Sequence, residues 1–223
     1  MNKTFLIHTM LFQGTTEEEV TSMLQCLQAV TKEYKKEEMI FHAGDVIDSI
    51  GLVLEGGIYI ENDDIWGNKS ILDHVQCGQI FAETYAMLPK ETLMVNVVAA
   101  KDSRILFLSL RKLMQTCNNS CPFHNQIIRN LLSISAQKNL NLSRRIFFTS
   151  SKTIRGRLVS YLSQQAKQAA SCRFTIPFNR QQLADYLGVD RSALSNELSK
   201  MRKEGILTYS KNTFHILTPS GPI

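Results

Sequence analysis

Between positions 191 and 203 the chain sets Arg191, Ser192, Ser195, Asn196, Ser199, Lys200 and Lys203 at intervals of one, three and four residues. On a helix this spacing gathers them on one broad face. The chemistry they offer is recognition rather than bond making. A guanidinium can grip a guanine edge with two parallel hydrogen bonds, and a carboxamide can do the same for adenine. Hydroxyls can meet either, and the lysines further along reach phosphate oxygens. The free N–H groups of the first turn add a further place for a phosphate.

The flanking residues are those needed to present such a face. Arg180-Gln181-Gln182-Leu183-Ala184-Asp185-Tyr186-Leu187 reads as a short helix with Asn179 as its cap and Leu183, Ala184 and Leu187 inward. Gly188 ends it with a turn that wants positive φ, Val189 plugs into the core, and Asp190 caps a second helix over Arg191 to Lys203. Leu194, Leu198 and Met201 form the inner side of that helix. Two short helices about a glycine turn, with small Ala184 at the crossing, predict a helix-turn-helix. After Gly205, Ile206–Tyr209 and Thr213–Leu217 flank Ser210-Lys211-Asn212 as a hairpin wing. The predicted interface with double-stranded DNA is Arg180, Gln181, Arg191, Ser192, Ser195, Asn196, Ser199, Lys200, Lys203 and Lys211.

Charge agrees with that placement. Of the formal +5, residues 1–149 carry 14 Lys and Arg against 16 Asp and Glu, whereas residues 150–223 carry 11 against 4. Positive charge gathered in the last third suits phosphate neutralisation.

A second cluster could do different chemistry. Cys117, Cys121 and His124 lie close in sequence, and thiolates with imidazole are ligands for zinc, iron or haem iron. Cys117 and Cys121 could instead form a redox pair. Five cysteines, an odd number with no secretory leader, argue against a disulfide scaffold. No nucleophile–base pair and no histidine-rich metal motif stands out, so the chain does not read as an enzyme.

Other segments must carry these groups. Residues 14–31 predict a helix, with Thr16 as cap, Glu17, Glu18 and Glu19 in its first turn, and Val20, Met23, Leu24 and Leu27 inward. From about 34 to 110, short apolar runs alternate with Gly and Asp, predicting an all-β roll able to enclose a small ligand. Residues 109–120 predict a short helix and turn. A long helix from Pro122 follows, with Ile127, Leu131 and Ile134 as a stripe that Lys138, Asn141 and Arg145 continue in polar form; it predicts a homodimer seam. Residues 152–169 predict a helix and 171–176 a strand. The expected class is α+β, with a sensing domain over 1–121, a dimerisation helix over 122–148 and a DNA-binding domain over 149–223. No run of 18 apolar residues and no leader is present, so no membrane is expected and a cytoplasmic location is.

The stretch Asn179-Arg180-Gln181-Gln182-Leu183-Ala184-Asp185-Tyr186-Leu187-Gly188-Val189-Asp190-Arg191-Ser192-Ala193-Leu194-Ser195 resembles the Crp/Fnr family of bacterial regulators, and in particular the subgroup common in anaerobic Firmicutes. Gly44-Asp45, Gly57, Gly67, Gly78 and Phe81-Ala82-Glu83 resemble the glycine-punctuated β-roll of cyclic-nucleotide-binding-like domains. The resemblance implies a homodimer joined along the long helix, an effector in the roll, a palindromic promoter site and RNA polymerase as a further partner. Glu83 would match the ribose-contacting glutamate, with Thr84, Tyr85, Leu93 and Met94 as further effector contacts. Family members that bind cyclic AMP carry an Arg-Ser pair shortly after that glutamate. Here Leu93 and Met94 stand in its place, and neither can balance a buried phosphate. Cyclic AMP is therefore not the expected effector; a small organic ligand, a metal, haem or thiol-redox sensing remain open, as does a DNA binder that needs no ligand. Cys26 is the only cysteine before Cys77, so the amino-terminal iron–sulfur cluster of the oxygen-sensing members is not expected either.

Overall fold

The computed structural model describes residues 2–63, 69–88, 90–114 and 122–217. They form two compact units, Met1–Ala136 and Gln137–Ile223.

The first unit opens with α1 (Lys3–Ile7) and α2 (Glu17–Cys26). Thr16 caps α2 in a full capping box: its side chain accepts from Glu19 N–H, and the Glu19 carboxylate accepts from Thr16 N–H. The helix stops earlier than its apolar spacing predicts. Gln28 takes φ +50°, and Val30 and Thr31 belong to a strand, where β-branched side chains are better accommodated. Eight strands follow or interleave: β1 (Val30–Tyr34), β2 (Met39–Phe41), β3 (Ser49–Glu55), β4 (Gly57–Asp63), β5 (Lys69–Gln76), β6 (Ile80–Phe81), β7 (Asn96–Ala99) and β8 (Ser103–Ser109). They build two antiparallel sheets, ordered β1-β8-β3-β6 and β2-β7-β4-β5. The turn of helix α3 (Glu83–Met87) and α4 (Leu110–Met114) complete the described part of the roll.

The period-2 geometry of strands explains why β3 and β8 read as continuous apolar runs. Val53, Ile105 and Phe107 point to the space between the sheets, with Ile58, Val75, Phe81 and Val97. Their alternate neighbours Ile50, Leu52, Leu54, Leu106 and Leu108 face a second layer supplied by α1, α2, α4 and the start of α5 (Pro122–Thr149).

That second layer corrects one expectation. Ile127, Leu131 and Ile134 lie in the core of their own unit with Leu6, Leu11 and Phe12. Side chains enclosed there are not available to a second chain, so they are not the seam. Asn130 fixes the same face of α5 by donating to Leu11 O (2.9 Å) and Gln13 O (2.8 Å). Lys138, Asn141 and Arg145 are exposed. Asn141 accepts from Gln137 (3.1 Å), and Arg145 donates to Asp185 O (3.3 Å).

In the second unit, Phe148 near the end of α5 packs with α6 (Ile154–Ala169), β9 (Arg173–Thr175), α7 (Arg180–Leu187), α8 (Arg191–Lys203), β10 (Leu207–Ser210) and β11 (Thr213–Ile216). The strands form one antiparallel sheet, β10-β11-β9. Its core joins Leu158, Tyr161 and Leu162 of α6 to Leu183, Ala184 and Leu187 of α7, Leu194, Leu198 and Met201 of α8, and Phe174 and Phe214 of the sheet. No helix among the described residues is long and apolar enough to cross a membrane.

Candidate nucleic-acid interface

Local caps set the ends of α7 and the turn that leads to α8. Asn179 caps α7 in a capping box with Gln182. Gly188 holds φ +63° and donates its N–H to Ala184 O and Asp185 O, closing the helix in the left-handed conformation that glycine adopts without a Cβ penalty. Val189 is half-buried against the core. Asp190 accepts from Ala193 N–H at 2.9 Å and from the Ser192 hydroxyl. These bonds, Ser192 first, hold the Asp190 carboxyl below its ordinary range.

Arg157, a residue the sequence analysis did not single out, secures the turn from α6. Its Nη1 donates to Leu187 O (2.8 Å) and Gly188 O (2.9 Å), and its Nε to Ser151 O (2.9 Å). A cation at a helix C-terminus satisfies the last carbonyls and complements the dipole. Its link to the turn spans thirty residues, so nothing local in the sequence signals it.

On α8, Arg191, Ser192, Asn196, Lys200 and Lys203 are exposed, and Ser195 and Ser199 half-buried. The serine hydroxyls are engaged within the helix. Ser195 donates to Arg191 O (2.9 Å), Ser199 to Ser195 O (3.0 Å), and Ser192 to Asp190. With their protons used inside the helix, they retain lone pairs and can accept but not donate. Among the described residues, the outward donors at the start of α8 are therefore Arg191 and Asn196. Gln181 of α7 is exposed and donates to Asp185 (2.8 Å).

Arg180 stands apart from this surface. Its guanidinium lies over Tyr209 (4.8 Å) and Phe214 (5.0 Å), with Nη1 buried and unpartnered among the described residues. Burial lowers its pKa below the usual arginine value. Arg202 covers Tyr209 as well, at 5.3 Å. Lys211 is exposed at the wing turn with φ +50°. The second unit carries 14 Lys and Arg against 4 Asp and Glu.

In the first unit, Glu83 is buried at the start of α3, Thr84 is exposed and Tyr85 half-buried. Leu93 is 3% exposed and Met94 74%. Met94 lies in a bend ahead of β7 and turns to solvent, whereas Leu93 turns inward. The space between the sheets holds the rings of Phe41, Phe81 and Phe107, with centroids 5.7 to 6.4 Å apart. Cys117 and Cys121 lie outside the described residues. His124 is buried, and its Nε2 has no hydrogen-bond partner among the described residues. No group of three or more metal-ligating side chains occurs among the described residues.

A two-sheet roll and a winged helix-turn-helix on one chain define a class of transcription regulators, and comparison with known proteins supports that assignment. Residues 31–120 match the cyclic nucleotide-binding domain and residues 156–221 the Crp-like helix-turn-helix domain. The catabolite activator protein of Thermus thermophilus is similar, with 22% identity, a TM-score of 0.52 and 93% of each chain covered. The c-di-GMP responsive global regulator CLP of Xanthomonas campestris has 17% identity and a TM-score of 0.57, covering 92% of this chain and all of that one. CprK complexed with OCPA has 17% identity and a TM-score of 0.61, over 90% and 92% of the two chains. No curated protein matches the sequence. The chain is a transcription regulator of the Crp/Fnr type, with a cyclic nucleotide-binding domain and a Crp-like helix-turn-helix DNA-binding domain.

Proposed function

We propose that the chain acts in the cytoplasm as a homodimer that reads a palindromic promoter site with the N-terminal half of α8, alongside RNA polymerase. Binding is gated by a sensor-domain effector other than cyclic AMP. The observation that carries the reading is the exposed Arg191 and Asn196 pair at the capped start of α8, with Lys200 and Lys203 behind it. Arg191 and Asn196 supply sequence discrimination; Lys200, Lys203 and Lys211 supply phosphate contacts. Dimerisation uses the face of α5 opposite the buried Ile127 stripe. Leu132, Asn139 and Ile146 recur there every seven residues, Leu142 adds a second apolar position, and all four are exposed.

Leu93 and Met94 support an effector other than cyclic AMP, because neither supplies a cation for a phosphodiester. A metal, haem or thiol reading through Cys117, Cys121 and His124 has one observation in its favour, the unpartnered Nε2 of buried His124. Metal analysis and absorption spectra of anaerobically purified protein test it; colourless, metal-free protein with thiol-independent DNA binding rejects it.

A mobility-shift assay on a selected site tests the main reading. Arg191→Ala with Asn196→Ala is expected to weaken specific binding at least about a hundredfold while leaving non-specific binding in place. Lys203→Ala is expected to weaken all sequences alike and lower the slope of log affinity against log salt by about 0.9. Unchanged specificity in the double variant removes α8 as the reader.

A further inference from the structure

A groove of about 890 Å3 lies on the first unit between the segment leading into β3, α3 and α4. It falls within the range of roughly 300–1,000 Å3 typical of small-molecule sites. Glu83, Thr84 and Leu93 are not among its lining residues, so it is separate from the position of the ribose-contacting glutamate. Three of its large apolar side chains reach solvent: Val46 (61% exposed), Met87 (36%) and Met114 (68%). Leu110 forms a buried part of the lining, and its N–H donates to Asp48 O at 2.9 Å, tying α4 to the segment before β3. The opposite end of that segment is also fixed, because Leu93 N–H donates to Asp45 O (2.9 Å) and Gly44 N–H to Leu93 O (2.7 Å). The groove is thus set between backbone segments that are pinned to one another.

Its charge is asymmetric. Lys90 and Arg111 line it, and neither forms an ion pair among the described residues. The single acid, Asp48, accepts the Ser49 hydroxyl at 2.8 Å. Apolar walls of flexible methionines suit an irregular hydrocarbon or aromatic body. Two cations against one carboxylate suit a single negative charge at the end of that body.

We propose that this groove is a binding site for a small amphipathic monoanion, a carboxylate on an apolar body, held by Arg111 and Lys90 at the head and by Val46, Met87 and Met114 along the tail. The site stands independently of how the second unit reads DNA. Its concavity and size favour a small molecule over a protein surface, which would bury a broader, flatter patch.

The test uses the full-length protein and anilinonaphthalene sulfonate, an aromatic monoanion, as fluorescent probe. Decanoate is the competitor and decanol the uncharged control. One saturable site per chain is expected, with decanoate displacing the probe at roughly tenfold lower concentration than decanol. Lys90→Ala with Arg111→Ala should weaken decanoate roughly tenfold and leave decanol unchanged. Met114→Asp should abolish displacement by both, with thermal melting unchanged because that side chain is 68% exposed, and Met87→Ser should weaken both. The proposal is overturned by absence of saturable binding, by equal potency of acid and alcohol, or by binding that survives Met114→Asp. Concentration-dependent self-association abolished by the same substitutions also overturns it, because the groove would then be covered by a second copy.

Discussion

Arg155 on α6 holds Glu204, the residue that closes α8, with both ends of its guanidinium: Nη1 and Nη2 each donate to one carboxylate oxygen at 2.8 Å. Its Nε reaches Glu197, in the middle of α8, at 2.6 Å. The bonds, those to Glu204 foremost, raise the pKa of Arg155, and the same contact depresses that of Glu204. One side chain of α6 therefore fixes α8 at two points along its length.

Replacing Arg155 by methionine removes three hydrogen bonds and leaves the largely buried Glu197 carboxylate with Lys200, at 3.9 Å, as its one cation among the described residues. The melting midpoint of the second unit should fall by on the order of 5 °C, as followed by calorimetry. Arg155→Lys should recover little, because an ammonium cannot form the two parallel bonds. A midpoint equal to wild type in the methionine variant would show that the clamp contributes nothing to folding.

Glu204 and Asp190 both have depressed pKa values in the folded chain. Their stabilisation is therefore present above the ordinary carboxylate values, about 4, and is lost as pH falls through the lower folded values. Stability should decline below about pH 4, and Glu204→Gln should be less stable at neutral pH with a shallower acid limb. Melting curves between neutral pH and pH 3 check both parts; an unchanged acid limb in the variant contradicts the assignment.

Gly51 in β3 lies against the outer end of the Phe81 ring: a Cβ there would collide with it. The ring is held by Phe41 and Phe107, so it has little room to retreat. Gly51→Ala should cost about 1–3 kcal/mol in the first unit. Urea unfolding measures it, and Gly44→Ala, whose Cβ meets nothing within 4 Å but which sits at φ +93°, separates crowding from backbone strain.

Leu142→Lys with Ile146→Lys places charge on the exposed face of α5 proposed for dimerisation. Sedimentation should change from dimer to monomer, and affinity for a palindromic site should fall far more than affinity for a half-site. Retention of the dimer would place the seam elsewhere.

The helix-turn-helix was legible because its signals are local. Asn179, Gly188 and Asp190 each act within four residues, and the ends of α7 and α8 fall where those residues predict. The capping box at Thr16 was legible for the same reason. What escaped was long-range. Arg157 grips a turn thirty residues away, and Arg155 bonds to a residue forty-nine away. The stripe on α5 shows the complementary error. Periodicity found Ile127, Leu131 and Ile134 but not what they pack against, and the nearer apolar surface, their own roll, claimed them. Strand β1 was partly read as helix because Val30 and Thr31 follow a helical run and are exposed, so only their pairing with β8 identifies them.

Tyr209 carries two guanidinium groups, one from the start of α7 and one from the end of α8, and its hydroxyl lies 3.4 Å from Ser199. The hairpin is consequently not a loose arm that searches for its own contact. It shares a joint with both helices, so a shift in any one of the three is felt by the others. If α8 is the helix that reads sequence, its preference should therefore respond to changes made at the hairpin's aromatic ring, even where that ring never meets a base.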